Sequence, residues 1–232
     1  MPPHAGLGAS AAQTLVWVTL ARTPHRDDLD RLSLAHLAQD IDTRLDNAAP
    51  WADYVACAHG GLIRSRSLLP HEETVDTADS VAVQFLSEVA ILVYVSPARP
   101  RSASIGGLEK RLLHADRHVW DTLRTMKSLS GDVWSALHQT DVRVLADIFR
   151  DHWRLQTQLT PDVSTPEVES VLRIALTEGA LAGRLCGFGG GGSLLLLAPP
   201  DKRHAVAESL QRRRLHLLQP SLDSYGLHFS KD

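Results

Sequence analysis

Two glycine-bearing segments hold the residues with the clearest capacity for chemistry. The first reads Pro3-His4-Ala5-Gly6-Leu7-Gly8-Ala9-Ser10-Ala11-Ala12. Two glycines just ahead of a helix start let backbone N–H groups converge on one point. The helix N-terminus adds the positive end of its dipole, and the two together hold an anion. Ser10 falls in the first helical turn, where its hydroxyl is in reach of a phosphate or its metal. By spacing alone the same residues also make a tight turn with an N-cap. The second segment runs from Leu181 to Leu197 and contains Gly187 and Gly189-Gly190-Gly191-Gly192 before Ser193. Gly189 to Ser193 has the composition of a flexible linker. Against that reading, Gly183 and Gly187 extend the pattern upstream and an apolar run follows without a break. So many glycines in succession answer to positive φ or to close approach of another backbone.

These residues need elements to position them. A helix is expected from Ala9 to about Ala21, directly after the first glycine loop. Asp27 to Leu45 has helical spacing, with Leu29, Leu32, Leu34, Leu37, Ile41 and Leu45. Pro50 starts a short helix through Ala58 that Gly60-Gly61 stops. Residues 62–95 read as mostly extended, with Val81, Val83 and Phe85 alternating and Ala90 to Val95 as a buried strand. Helices follow from about Ile105 to Ala180, one of them opened by Thr165 and Pro166. Leu194–Leu197 is a strand, Asp201–Arg213 a helix, and residues 214–219 and 224–229 are expected strands. Segregated helices with mostly antiparallel strands give an α+β class.

Bulk properties narrow the function. The chain has 232 residues, 44% hydrophobic and 22% charged, which is globular composition. A net charge of -3 gives no general attraction for nucleic acid or for an anionic membrane. The Arg212-Arg213-Arg214 run reads as a solvated helix end. Cys57 and Cys186 do not make a disulfide framework and fit a reducing, cytoplasmic setting. No apolar run approaches the ~20 residues of a membrane span, and the opening residues lack the basic region of a signal peptide. His114 and His118 stand at i,i+4, a zinc spacing, but no third ligand is evident.

Together the two glycine segments resemble the second and third motifs of the GHMP kinase family. Within it the chain is most similar to the branch of D-glycero-D-manno-heptose 7-phosphate kinases and fucokinases. Asp53 followed by Gly60-Gly61-Leu62, Val93-Tyr94-Val95 followed by Arg99 and Ser102, and Trp153, Leu159, Ser164 and Pro166 carry that further likeness. The resemblance implies an ATP- and Mg²⁺-dependent kinase acting on a sugar or sugar phosphate. Residues 1–86 would be the remnant of a ribosomal S5-like first domain, and residues 87–232 a ferredoxin-like second domain with added helices. It implies nucleotide contacts from Gly6, Leu7, Gly8, Ala9 and Ser10 and from Gly187, Gly189, Gly190 and Gly191. Asp53 would be the base for the acceptor hydroxyl, and Ser10 and Asp42 would hold Mg²⁺. There are departures: Ala9 replaces a loop serine, Asp42 a glutamate, His59 a tyrosine and Arg184 a lysine, while Gln156 and Thr157 replace a basic pair. The family's first motif precedes the point where this chain opens. The expectation is therefore a short chain that is a poor kinase alone, or one completed by a separate chain supplying that segment. The alternative is a non-catalytic, sugar- or nucleotide-responsive protein derived from such a kinase.

Overall fold

The computed structural model describes residues 2, 4–22, 30–67, 73–98, 101–187, 189–219 and 221–228. They form two compact units, one of Met1–Leu7 with Ser80–Pro220 and one of Gly8–Asp79 with Ser221–Asp232. The chain passes between them at Leu7–Gly8, inside the first glycine segment.

The smaller unit begins with three helices, α1 (Ala9–Arg22), α2 (Arg31–Arg44) and α3 (Trp51–His59). Asp30 caps α2 by accepting from the Ser33 N–H at 3.1 Å. Pro50 precedes α3, and Gly60 ends it with a positive φ. Ala11, Leu15, Leu34, Ala35, Ala38, Tyr54 and Ala58 make its core. Val18 completes that core, in which four of the eight residues are alanines. An antiparallel hairpin follows, β1 (Ile63–Ser67) with β2 (Glu73–Thr77).

The larger unit holds α4 (Ser80–Val89), β3 (Ala90–Ser96), α5 (Arg101–Leu113), α6 (Arg117–Gln139), α7 (Val142–Leu159), α8 (Pro166–Thr177), β4 (Ala182–Leu185), β5 (Gly192–Leu197), α9 (Pro200–Arg212) and β6 (His216–Leu218). Its sheet has the order β4-β5-β3-β6, with every neighbour antiparallel. Ile91, Val93, Leu194 and Leu196 point to one face and join residues of α8 and α9 in a single core. Each such side chain contributes about 1.5–3 kcal/mol when fully buried. The α+β class is the observed one.

Three sequence expectations need correction. Residues 80–89, read as extended from Val81, Val83 and Phe85, are helical. The buried positions are Ala82, Phe85 and Val89, a spacing of three and four, while Val81 is 60% exposed. Residues 224–228 form no strand; Leu227 instead donates its N–H to the Ala58 carbonyl at 3.1 Å. Strand β4 was not expected, because Gly183 and Arg184 break its apolar pattern. Gly183 is needed there, since a Cβ would lie 2.6 Å from Leu196 and 2.9 Å from Leu172. The predicted start of α2 at residues 27–29 and the turn residue Arg99 lie outside the described residues.

Candidate active site

In the smaller unit, the start of α1 faces the start of α3. The helical ladder of α1 begins with the Ala12 N–H donating to the Gly8 carbonyl at 3.0 Å. The amides of Ala9, Ser10 and Ala11 therefore have no carbonyl within the helix to donate to. A Cβ placed on Gly8 would sit 3.8 Å from the Asp53 carboxyl carbon and 3.9 Å from Cys57 Sγ. Asp53 and Cys57 are one helical turn apart on α3, so a single face of that helix meets the loop at Gly8. Burial raises the Asp53 pKa above the ordinary carboxylate value. Burial, followed by the Asp53 charge, raises the Cys57 thiol as well, which keeps it protonated. Ala9 and Ser10 are exposed, and Ser10 Oγ accepts from the Asn47 side-chain amide at 3.2 Å.

Asp42 is almost fully buried, at 2% exposure. The Thr14 hydroxyl donates to one of its oxygens at 2.9 Å, and the Tyr54 hydroxyl to the other at 2.7 Å. Tyr54 also accepts the Ala49 N–H at 3.1 Å. Burial, then the bond to Asp42, pushes the Tyr54 phenol up to about 12. This network ties α1, α2 and α3 together immediately beside Asp53. Thr14, Asn47 and Tyr54 were not singled out in the sequence. The available signal was Tyr54 adjoining Asp53 on a short helix, with a carboxylate and an amide at the end of the preceding one.

In the larger unit, the other half of the loop packs on the second glycine segment. The Ser193 N–H donates to the Ala5 carbonyl at 2.9 Å, and the Ala98 N–H to the His4 carbonyl at 2.9 Å. A Cβ on Gly6 would lie 3.1 Å from the Cys186 carbonyl oxygen, and one on Gly187 would lie 3.1 Å from the Gly6 carbonyl oxygen. The two segments thus meet backbone to backbone at Gly6 and Gly187. Gly187 is exposed, whereas Gly189, Gly190 and Gly191 are buried. A Cβ on Gly189 would overlap Val163, a Cβ on Gly191 would lie 2.4 Å from the Pro97 carbonyl oxygen, and the Gly190 N–H donates to the Val163 carbonyl at 2.7 Å. Leu7 is half-buried where the chain leaves this unit. The Arg184 guanidinium lies 5.9 Å from the Phe149 ring centre, and burial lowers its pKa.

These groups are suited to holding an anion on amides and removing a proton with a carboxylate. Ser10 fits a metal or phosphate contact, being exposed with a hydroxyl at a helix start. Asp42 fits less directly, because both its oxygens already accept from hydroxyls. Among the described residues, no group of three or more His, Cys, Asp or Glu side chains is placed to hold a metal ion. A groove of about 550 Å³ lies in the larger unit against Gly183 and Trp153 and contains none of the loop residues. Among the described residues no helix is long and apolar enough to cross a membrane.

Family models match two stretches of the chain. A family model for the GHMP kinases N terminal domain matches residues 1–61, and one for the GHMP kinases C terminal region matches residues 135–216. The D-glycero-alpha-D-manno-heptose 7-phosphate kinase of Campylobacter jejuni is 24% identical over 112 residues, 48% of this chain and 33% of that protein. The solved structure of a D-glycero-D-manno-heptose 1-phosphate kinase from Bacteroides thetaiotaomicron aligns with a TM-score of 0.72 at 18% identity, covering 97% of this chain and 63% of that one. The phosphomevalonate kinase of Streptococcus pneumoniae, solved with phosphomevalonate and AMPPNP, aligns at 0.71 with 12% identity, covering 88% and 65%. The chain thus spans less than two thirds of the length of these proteins. At such identities the structural likeness establishes the fold.

Proposed function

Because this chain belongs to the GHMP kinase family, we propose that it transfers the γ-phosphate of ATP to a hydroxyl of a sugar or sugar phosphate. The observation that carries this reading is the apposition of Gly8 and Asp53, which sets a carboxylate beside the free amides of a helix start. The acceptor is a heptose phosphate-like or fucose-like sugar, in keeping with the heptose kinases among its relatives.

In this reading the amides of Ala9, Ser10 and Ala11 hold phosphate oxygens at the positive end of α1. Asp53 takes the proton of the acceptor hydroxyl as its oxygen bonds to the γ-phosphorus and the bond to the departing ADP oxygen breaks. A raised pKa makes Asp53 a stronger base than a solvated carboxylate, provided the pH lies above that pKa. Mg²⁺, when bound with the nucleotide, would neutralise phosphate charge, with Ser10 Oγ as its contact from the loop. Asp42 serves by charge and by fixing Tyr54, hence the start of α3 that carries Asp53. Gly187 meets Gly6 backbone to backbone and Ser193 holds Ala5, which helps set the path of the loop, while Gly189 to Gly191 close on Val163 and Pro97.

The test is ADP release by the purified chain with ATP-Mg²⁺ and a panel of free and phosphorylated sugars. Sugar-dependent release supports the reading. ATP binding without sugar-dependent release from any member of the panel would favour a non-catalytic descendant of the family.

A further inference from the structure

One face of α7 carries a feature that the phosphoryl-transfer residues do not use. His152 Nδ1 and Gln156 Oε1 are both buried, and neither has a hydrogen-bond partner. The two residues are one helical turn apart, so their side chains leave the helix on the same side. Both line one cavity of about 160 Å³ in the larger unit, together with Thr160, Leu123, Met126 and Leu159. The exposed glycine Gly187 lies at the same cavity. Native proteins rarely leave buried polar atoms unpaired, and two on one wall of one cavity point to a group that enters it.

The lining decides the class of that group. Among the described residues, no Lys, Arg, Asp or Glu side chain lines the cavity. His152 is uncharged near neutral pH, because burial and then the neighbouring Arg184 charge lower its pKa to about 4. The Arg184 guanidinium itself is over the Phe149 ring and outside the lining. A phosphate or carboxylate entering here would lose its water without gaining a counter-charge. A hydroxyl both donates and accepts, so it satisfies the Gln156 carbonyl oxygen and either tautomer of a neutral imidazole. The Leu and Met side chains suit the C–H surface of a sugar ring between such hydroxyls.

We propose that this cavity recognises the neutral, hydroxyl-bearing part of a sugar, with Gln156 and His152 as its hydrogen-bonding residues. Calling that sugar the phosphoryl acceptor rests on the kinase reading; the binding itself does not. Any phosphate the sugar carries stays outside the cavity.

The experiment is ligand-observed NMR and calorimetry on the whole chain without ATP, using D-mannose, L-fucose, D-galactose and mannose 6-phosphate. ATP binding is measured separately on the same samples. Gln156→Met keeps the length of the side chain and removes its polar atoms, and Thr160→Val is a second variant on the same wall. At least one free sugar should bind, and Gln156→Met should weaken it by about tenfold or more with ATP binding unchanged. The proposal is overturned if no free sugar binds, if neither variant that retains the native melting transition weakens binding, or if mannose 6-phosphate binds tighter than mannose and loses that advantage in Gln156→Met. Sugar binding that responds to Gln156→Met in a chain that does not bind ATP would support the cavity while counting against the kinase reading.

Discussion

Asp53 and Tyr54 are neighbours with opposite surroundings, and each makes a separate prediction. Asp53 faces the loop at Gly8, half-buried, with a raised pKa. Asp53→Asn should lower kcat by at least ~10²-fold, the scale of a positioned base, with ATP affinity little changed. In the wild type, kcat/KM should rise with pH through the raised Asp53 pKa and level off above it, because only the carboxylate accepts the proton. Near-normal turnover in the asparagine variant would remove Asp53 from the reaction. Tyr54 is fully buried, and its hydroxyl joins Asp42 to the Ala49 amide. Tyr54→Phe leaves a buried carboxylate one donor short and should lower stability by about 1–3 kcal/mol. Chemical denaturation of the two proteins measures it, and an unchanged midpoint would show that Asp42 finds another donor. Asp53 is singled out in the sequence by the resemblance of Asp53 and Gly60-Gly61-Leu62 to a family segment, and the structure sets its carboxyl carbon beside Gly8. The Tyr54–Asp42–Thr14 network was not legible, since it depends on how three helices pack rather than on any spacing within one of them.

At the scale of elements, the glycine run before β5 works through what its missing side chains admit. Gly189 has φ of +88°, and a Cβ there would overlap the Val163 side chain that follows α7. Gly189→Ala should therefore destabilise the larger unit by roughly 1–3 kcal/mol through overpacking, with added strain at positive φ. Adding Val163→Ala should recover the packing part but not the backbone part, so the double variant should melt between the single variant and the wild type. A Gly189→Ala protein that melts like the wild type would mean the loop shifts freely. The sequence marked this segment correctly as a glycine loop entering a strand. It carried no sign of which glycines meet solvent and which meet the chain, because Val163 and Pro97 are distant in sequence. Helix α4 was misread for a related reason. Val81, Val83 and Phe85 alternate, but so short an apolar run also fits a helix, and the burial of Ala82 with Phe85 and Val89 decided it. The β3 and β5 strands were legible because both are nearly continuous apolar runs, the pattern of strands covered on both faces.

Across the whole molecule, the response to acid separates two kinds of group. Asp76 and Asp116 are held below the ordinary carboxylate value, first by hydrogen bonds from Arg64 and Arg111 respectively. Their stabilisation is present above the unfolded carboxylate value of 3.8 and is lost only as the pH falls below it. His152 acts at higher pH. Its folded pKa is about 4 against an ordinary value of 6.5, with burial the larger cause and Arg184 the second. Between those two values the unfolded chain binds a proton that the folded chain refuses, so stability falls as pH falls from about 6.5 toward 4. Replacing the imidazole removes the proton from both states. His152→Leu should therefore flatten the decline of the melting temperature across that window, while leaving the steeper loss below 3.8 in place. Melting curves of the two proteins at several pH values from 7 to 3.5 make the comparison. Parallel declines would show that His152 is protonated in the folded chain, with its ring reached by water. That outcome would also weaken the case for a neutral cavity, since a charged imidazole on its wall would draw an anion rather than a hydroxyl.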